Sequence, residues 1–99
     1  MKKNIKPGTL LMPLPAVMVS CGSIEKPNII TIAWTGIVNS TPPMTYISVR
    51  KSRYSHDLIA ESGEFVINLT TEALTFATDY CGVKSGRDVD KFQEMELTP

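Results

Sequence analysis

The stretch from Asn28 to Val38 reads N-I-I-T-I-A-W-T-G-I-V and runs directly into N-S-T-P-P at positions 39–43. Isoleucine, threonine and tryptophan fit a pleated, half-buried surface. Two successive prolines remove two ladder donors, so the strand stops there. A strand-forming run against a hard stop calls for short strands joined by tight connections. The rest of the chain agrees. Lys6 to Met12 is an entry segment with a turn at Pro7 and Gly8. Pro15 to Ser20 is an apolar, β-prone strand, and Gly22 to Asn28 is its hairpin connection. From Met44 to Lys51, Tyr46, Ser48 and Arg50 alternate with Thr45, Ile47 and Val49, the pattern of a half-buried strand. Ser52 caps a helix from Arg53 to Glu61, which Ser62 and Gly63 end. Glu64 to Leu69 is a further strand. Thr70 or Thr71 caps a second helix reaching about Tyr80, with Gly82 closing it, and a third short helix spans Asp88 to Met95.

Four strands, with helices inserted after the third and fourth, make a mainly β fold of antiparallel type rather than a doubly wound parallel sheet. Four strands rarely close a barrel. The expectation is therefore an incomplete barrel, or one that borrows strands from a partner. With 99 residues the chain is one domain, residues 1–99.

Ten basic residues balance ten acidic ones, so no global field gathers nucleic acid or anionic membrane, and any anion site is local. Cys21 and Cys81 belong to no CxxC pair, and the single His56 gives them no metal-binding company. No metal site is expected. A Cys21–Cys81 disulfide stays open, with two free buried thiols in a reducing compartment as the preferred reading. Lys2 and Lys3 precede an apolar run from Leu10 to Val19, and M-V-S-C at 18–21 resembles a lipoprotein cleavage box. Pro13 and Pro15 interrupt that run, and it continues smoothly into the next strand. No segment approaches the ~20 apolar residues of a membrane span. The cytoplasm is the expected location, with a lipid anchor at Cys21 as the minority alternative.

Three clusters carry chemistry. The first is R-K-S-R-Y-S-H at 50–56, between a strand end and a helix start. A helix start offers backbone N–H groups, Ser52 and Ser55 offer hydroxyls, and Arg50 or Arg53 offers a guanidinium, the set a phosphate needs. The plain alternative is a solvated helix start. The second is C-G-V-K-S-G-R-D-V-D-K-F at 81–92, where Arg87 and Lys91 sit four apart; Asp88 and Asp90 pairing with them on a surface helix is the preferred alternative. In the third, Asn28 to Gly36, small, hydroxyl and aromatic residues bring a strand's backbone close to a flat ring, and Trp34 packs against it, unless Trp34 is simply core. No catalytic triad, Cys-His pair or paired carboxylates stand out, so no catalytic residue is assigned.

These clusters occur in an order that resembles the flavin reductase-like (flavoredoxin-type) family of FMN-binding split barrels. The resemblance is carried by P-L-P-A-V-M-V-S at 13–20, K-P-N-I-I-T-I-A-W-T-G at 26–36, N-S-T-P-P-M at 39–44, S-V-R-K-S-R-Y-S-H at 48–56, G-E-F-V-I-N at 63–68, D-Y-C-G at 79–82 and S-G-R-D-V-D-K-F at 85–92. It implies a dimeric split β-barrel with noncovalent FMN. It implies that Asn28, Thr31, Ala33, Trp34 and Thr35 border the isoalloxazine. Arg50, Ser52, Arg53 and Ser55 hold the phosphate, and Lys91 reaches the flavin on its N1–C2 carbonyl side, where a cation stabilises the reduced ring. Family members are about twice as long, so the chain corresponds to the N-terminal half of such a domain.

The function implied is transfer of electrons from NAD(P)H through FMN to a flavin, ferric or protein acceptor. The alternatives are an FMN electron carrier without NAD(P)H activity and an inactive fragment.

Overall fold

The computed structural model describes residues 1–99. Its elements are β1 (Val17–Gly22), β2 (Pro27–Ile32), β3 (Thr35–Ser40), β4 (Pro43–Ile47), α1 (Tyr54–Ser62), β5 (Val66–Leu69), a 3-10 turn at Glu72–Leu74, α2 (Thr75–Val83) and α3 (Lys91–Glu94). Every strand pairing is antiparallel. β1 lies between β2 and β5 in a three-stranded sheet, and β3 and β4 form a separate ribbon. Neither sheet closes. The architecture is mainly β with helices, as the sequence implies, and β2 and β5 are left as open edges.

The sheet is covered on both faces, which explains why β1 and β2 do not alternate in polarity. Val17, Val19, Ile30 and Ile32 face one way, against Ile47, Val49, Phe65 and Ile67. Met18, Ile29, Cys81 and Phe92 face the other, with Leu74, Met95 and Leu97 beside them. Ile29 and Ile30 are neighbours in sequence and enter opposite cores. Phe92 brings α3 onto the sheet from a helix of only four residues.

Several boundaries differ from the sequence reading, each for a nonlocal reason. The run from Asn28 to Val38 is two strands, broken at Ala33 and Trp34, where the chain leaves the sheet for the ribbon. Pro43 does not end strand structure: it opens β4 opposite Ser40, with Thr41 and Pro42 as the turn. A bulge between Ile37 and Asn39 shifts the ribbon's register. The strand expected to reach Lys51 ends at Ile47, although the Ser48 N–H still donates to the Trp34 carbonyl at 2.9 Å. Neither Ser52 nor Thr71 caps a helix through its side chain, and the Thr70 hydroxyl donates to the Ala16 carbonyl at 2.8 Å. Gly63 does end α1, at φ 73° with its N–H on the Ile59 carbonyl. Gly82 lies inside α2 instead of closing it. A Cβ there would sit 3.2 Å from the Thr31 Cβ, so glycine lets α2 approach β2. Only Lys91–Glu94 of the third expected helix is helical, capped by Asp90, whose carboxylate accepts from the Gln93 N–H at 3.2 Å.

Cys21 belongs to β1, the central strand, and is buried; Cys81 is fully buried on α2; both thiols are free. No helix is long and apolar enough to cross a membrane.

Candidate functional site

α1 begins where the chain turns out of its extended path at Arg53. The first N–H groups of a helix lack intrahelical partners, and here no side chain caps them. Ser55, in that first turn, is buried, and its hydroxyl accepts from the Asn28 amide at 2.8 Å. That bond pins the helix start to the start of β2. A second segment, Lys84 to Arg87, closes over both. The Arg87 guanidinium donates to the Ser52 carbonyl at 3.2 Å and stands 5.5 Å from the centre of the Tyr54 ring. Arg53 reaches the other way and donates to the Gly82 carbonyl at 2.9 Å. Together Asn28, Ser52, Arg53, Ser55, Arg87 and Lys91 line a pocket of ≈ 180 Å³.

Gly86 is what lets this loop close. A Cβ at that position would lie 2.6 Å from Tyr54 Cδ2 and overlap the Asn28 amide oxygen. Gly86→Ala is expected to destabilise the fold by about 1–3 kcal/mol, the usual cost of overpacking. Chemical denaturation would measure it; a variant as stable as the parent would show that the loop shifts freely.

The pocket is strongly cationic. The one contact within 4.0 Å between a basic and an acidic side chain joins His56 Nδ1 and Asp57 Oδ1, at 3.1 Å. No lysine or arginine therefore has a carboxylate within 4.0 Å, and the expected pairing of Asp88 and Asp90 with Arg87 and Lys91 does not form. Lys91 is buried, at 3 % exposure, and its ammonium donates to the carbonyls of Ile29 and Cys81, each at 2.8 Å. Burial pulls its pKa below the ordinary lysine value, with nearby Arg53 adding to the effect and Cys81 opposing it. Burial also pushes the Cys81 and Cys21 thiols above their ordinary value, against the opposing pull of Lys91 and, at Cys21, of the Ser55 hydroxyl. The raised thiols stay protonated at neutral pH and supply no negative charge.

A wider groove of ≈ 380 Å³ adjoins the pocket and shares Ile30, Ser52 and Arg53 with it. Thr31, Ala33, Trp34 and Arg50 add to its lining. Trp34 is not core: it is 41 % exposed, and the Arg50 guanidinium lies 5.5 Å from its ring centre. β2, along one side, is an edge strand whose outer backbone no strand pairs.

Nine of the ten residues singled out in the sequence thus fall on two adjoining depressions. Thr35 lines neither, and its hydroxyl donates to the Tyr46 carbonyl at 2.7 Å within the ribbon. Thr31 borders the groove while its hydroxyl donates to the Thr78 carbonyl of α2. Lys91 lines the small pocket and not the groove. The sequence reading missed Tyr54, Gly86 and the position of Arg87. The S-G-R run at 85–87 is their one local signal, since small residues followed by an arginine suit a loop that closes on a ligand or a ring.

The residues fit the two ends of FMN. Unpaired cations, serine hydroxyls and an uncapped helix start form an anion's donor set. The groove falls within the roughly 300–1,000 Å³ of ligand pockets and has an exposed indole and free backbone on its sides. The largest depression, ≈ 590 Å³, opens on the other face of the sheet among Met18, Ile29, Phe92 and Leu97. None of its lining residues is a lysine or arginine, so it does not suit an anionic ligand.

The fold has counterparts among known proteins. An uncharacterized protein of Archaeoglobus fulgidus is 34 % identical over 88 residues, covering 89 % of this chain and 49 % of its own length. Flavoredoxin of Desulfovibrio vulgaris (Miyazaki F) superposes with a TM-score of 0.89 at 39 % identity, over 100 % of this chain and 55 % of that one. The FMN-binding domain of a flavin reductases-like enzyme from Shewanella baltica OS155 superposes with a TM-score of 0.77 at 29 % identity, over 83 % and 44 %. The chain spans about half the length of the relatives it matches. Residues 9–99 match the flavin reductase like domain, and the chain belongs to that family.

Proposed function

We propose that residues 1–99 are the N-terminal part of a flavin reductase-like domain that holds FMN and passes electrons through it. The observation that carries this reading is the junction of a cationic pocket with an open groove at the start of α1. Arg53, Ser52, Ser55 and the first turn of α1 bind the phosphate, with Arg50 at the groove side. Ala33, Trp34 and the backbone from Asn28 to Thr35 border the ring. Lys91 contributes positive charge from beneath.

FMN, when bound, supplies the hydride and single-electron chemistry. The chain's residues bind and orient it. The Asn28–Ser55 hydrogen bond fixes β2 against α1, so ring wall and phosphate wall keep one spacing. The Arg50 guanidinium over Trp34 holds the indole at the groove. No side chain here is placed as a proton donor or acceptor.

NAD(P)H is the proposed electron donor, with a flavin, ferric or protein acceptor. A homodimer is proposed from the open edges of β2 and β5 and from Ile37, Val38, Met44 and Tyr46, all exposed on the ribbon. Steady-state oxidation of NAD(P)H by the FMN-loaded protein tests the donor. Turnover supports a reductase, whereas FMN binding without turnover leaves an electron carrier.

A further inference from the structure

We propose that the loop from Ser85 to Arg87 is a stop at the far end of the small pocket, and that it makes the site select a flavin ending in a phosphate monoester over one that continues as a dinucleotide. This rests on reading the small pocket as the phosphate end, and it concerns Tyr54, Gly86 and Arg87, to which that reading gives no role. The way in is the groove, because Ile30, Ser52 and Arg53 line both depressions. Ser85, Gly86 and Arg87 line the pocket and not the groove, so they wall it on the side away from the entrance.

Three attachments hold that wall in place. Ser85 makes it a hydrogen-bonded turn: its carbonyl accepts from the Asp88 and Val89 N–H groups at 3.0 and 3.2 Å, and its hydroxyl accepts from the Arg87 N–H at 3.2 Å. Gly86 sits so close to the side chains of Asn28 and Tyr54 that a Cβ has no room there. Asn28 is itself tied, since its amide donates to the buried Ser55 hydroxyl at 2.8 Å. Arg87 straps the turn to the start of α1, donating to the Ser52 carbonyl at 3.2 Å and standing 5.5 Å from the Tyr54 ring centre. No carboxylate within 4.0 Å draws its guanidinium elsewhere.

A phosphate monoester ends at its phosphorus and needs nothing beyond the pocket. A dinucleotide continues through a second phosphate to another ribose and base. At ≈ 180 Å³ the pocket is below the roughly 300 Å³ at which ligand sites begin, so it has no space for that continuation. The groove side is taken by the ring and ribityl chain. The continuation therefore has to pass where the loop stands, which breaks the Arg87–Ser52 bond and unseats Gly86.

The test is calorimetric titration of the purified chain with FMN and, separately, with FAD. FAD is expected to bind the parent more weakly by roughly 10–100-fold, the effect of losing one hydrogen bond from a charged group. Arg87→Ala is expected to remove most of that difference, and Tyr54→Leu to narrow it. The ratio of the two affinities is the readout, because loss of a positive charge weakens both ligands alike. Equal affinity of the parent for FMN and FAD would overturn the proposal and leave the flavin reading standing. So would an Arg87→Ala chain that folds and keeps the full ratio. Should Arg87→Ala fail to fold, the parent's ratio and Tyr54→Leu decide the matter. A folded parent that binds neither flavin would remove the flavin reading, and this proposal with it.

Discussion

Replacing Arg53 by alanine should weaken FMN binding by roughly 10–100-fold and leave riboflavin binding nearly unchanged. Arg53 is the cation common to the pocket and the groove, and it enters α1 at the N-cap. A hydrogen bond to a charged group contributes about 1.5–3 kcal/mol, and each 1.4 kcal/mol corresponds to about tenfold in affinity. Riboflavin shares the ring and ribityl chain but lacks the phosphate, so it isolates the anion end. The comparison is needed because Arg53 also donates to the Gly82 carbonyl and helps hold α2. Loss of that bond alone would weaken both ligands alike, and an equal loss measured by fluorescence titration would reassign Arg53 to a purely structural role.

The second large effect is on stability. Phe92→Ala should cost roughly 3–5 kcal/mol, as removal of a buried aromatic ring usually does. Phe92 is 7 % exposed and packs with Met18, Ile29 and Cys81 on the helical face of the sheet. It also precedes no long helix that could hold it: α3 has four residues, and Phe92 and Lys91 are its buried members. A domain of this size has a total stability of roughly 5–15 kcal/mol, so the variant should lie near the edge of folding. Urea denaturation should show a lower midpoint at an unchanged slope. A loss below about 1 kcal/mol would mean that α3 docks loosely, and Lys91 would then be poorly held.

Much of the site is local in sequence and was legible there. Arg50 to Ser55 is a continuous run, and a strand end followed by a helix start places its cations and hydroxyls together. The groove is lined from two short runs, Ile30 to Trp34 and Ser48 to Arg53. The mainly β class followed from propensity and turn residues. What was not legible is what depends on distant partners. Ala33, Trp34 and Thr35 look no less strand-like than their neighbours, yet the chain changes sheets there. Gly82 reads as a helix end, but it is a contact point, because Thr31 fills the place a side chain would take. Ser52 reads as a cap, but its carbonyl receives Arg87 from a loop 35 residues later. The charges at Asp88, Asp90 and Lys91 suggested a salt-bridged surface helix. Lys91 is instead drawn inward by two backbone carbonyls that no local pattern reveals.

The proposed function rests on one statement, that the start of α1 is an anion site beside a ring-sized groove. The most direct test is titration of the purified 99-residue chain with FMN and, separately, with riboflavin, followed by flavin fluorescence with light scattering to record the assembly state. Saturable binding, tighter for FMN than for riboflavin by roughly tenfold or more, is the expected result. A folded chain that binds neither flavin, or binds both equally, would contradict the placement of the phosphate at Arg53, Ser52 and Ser55.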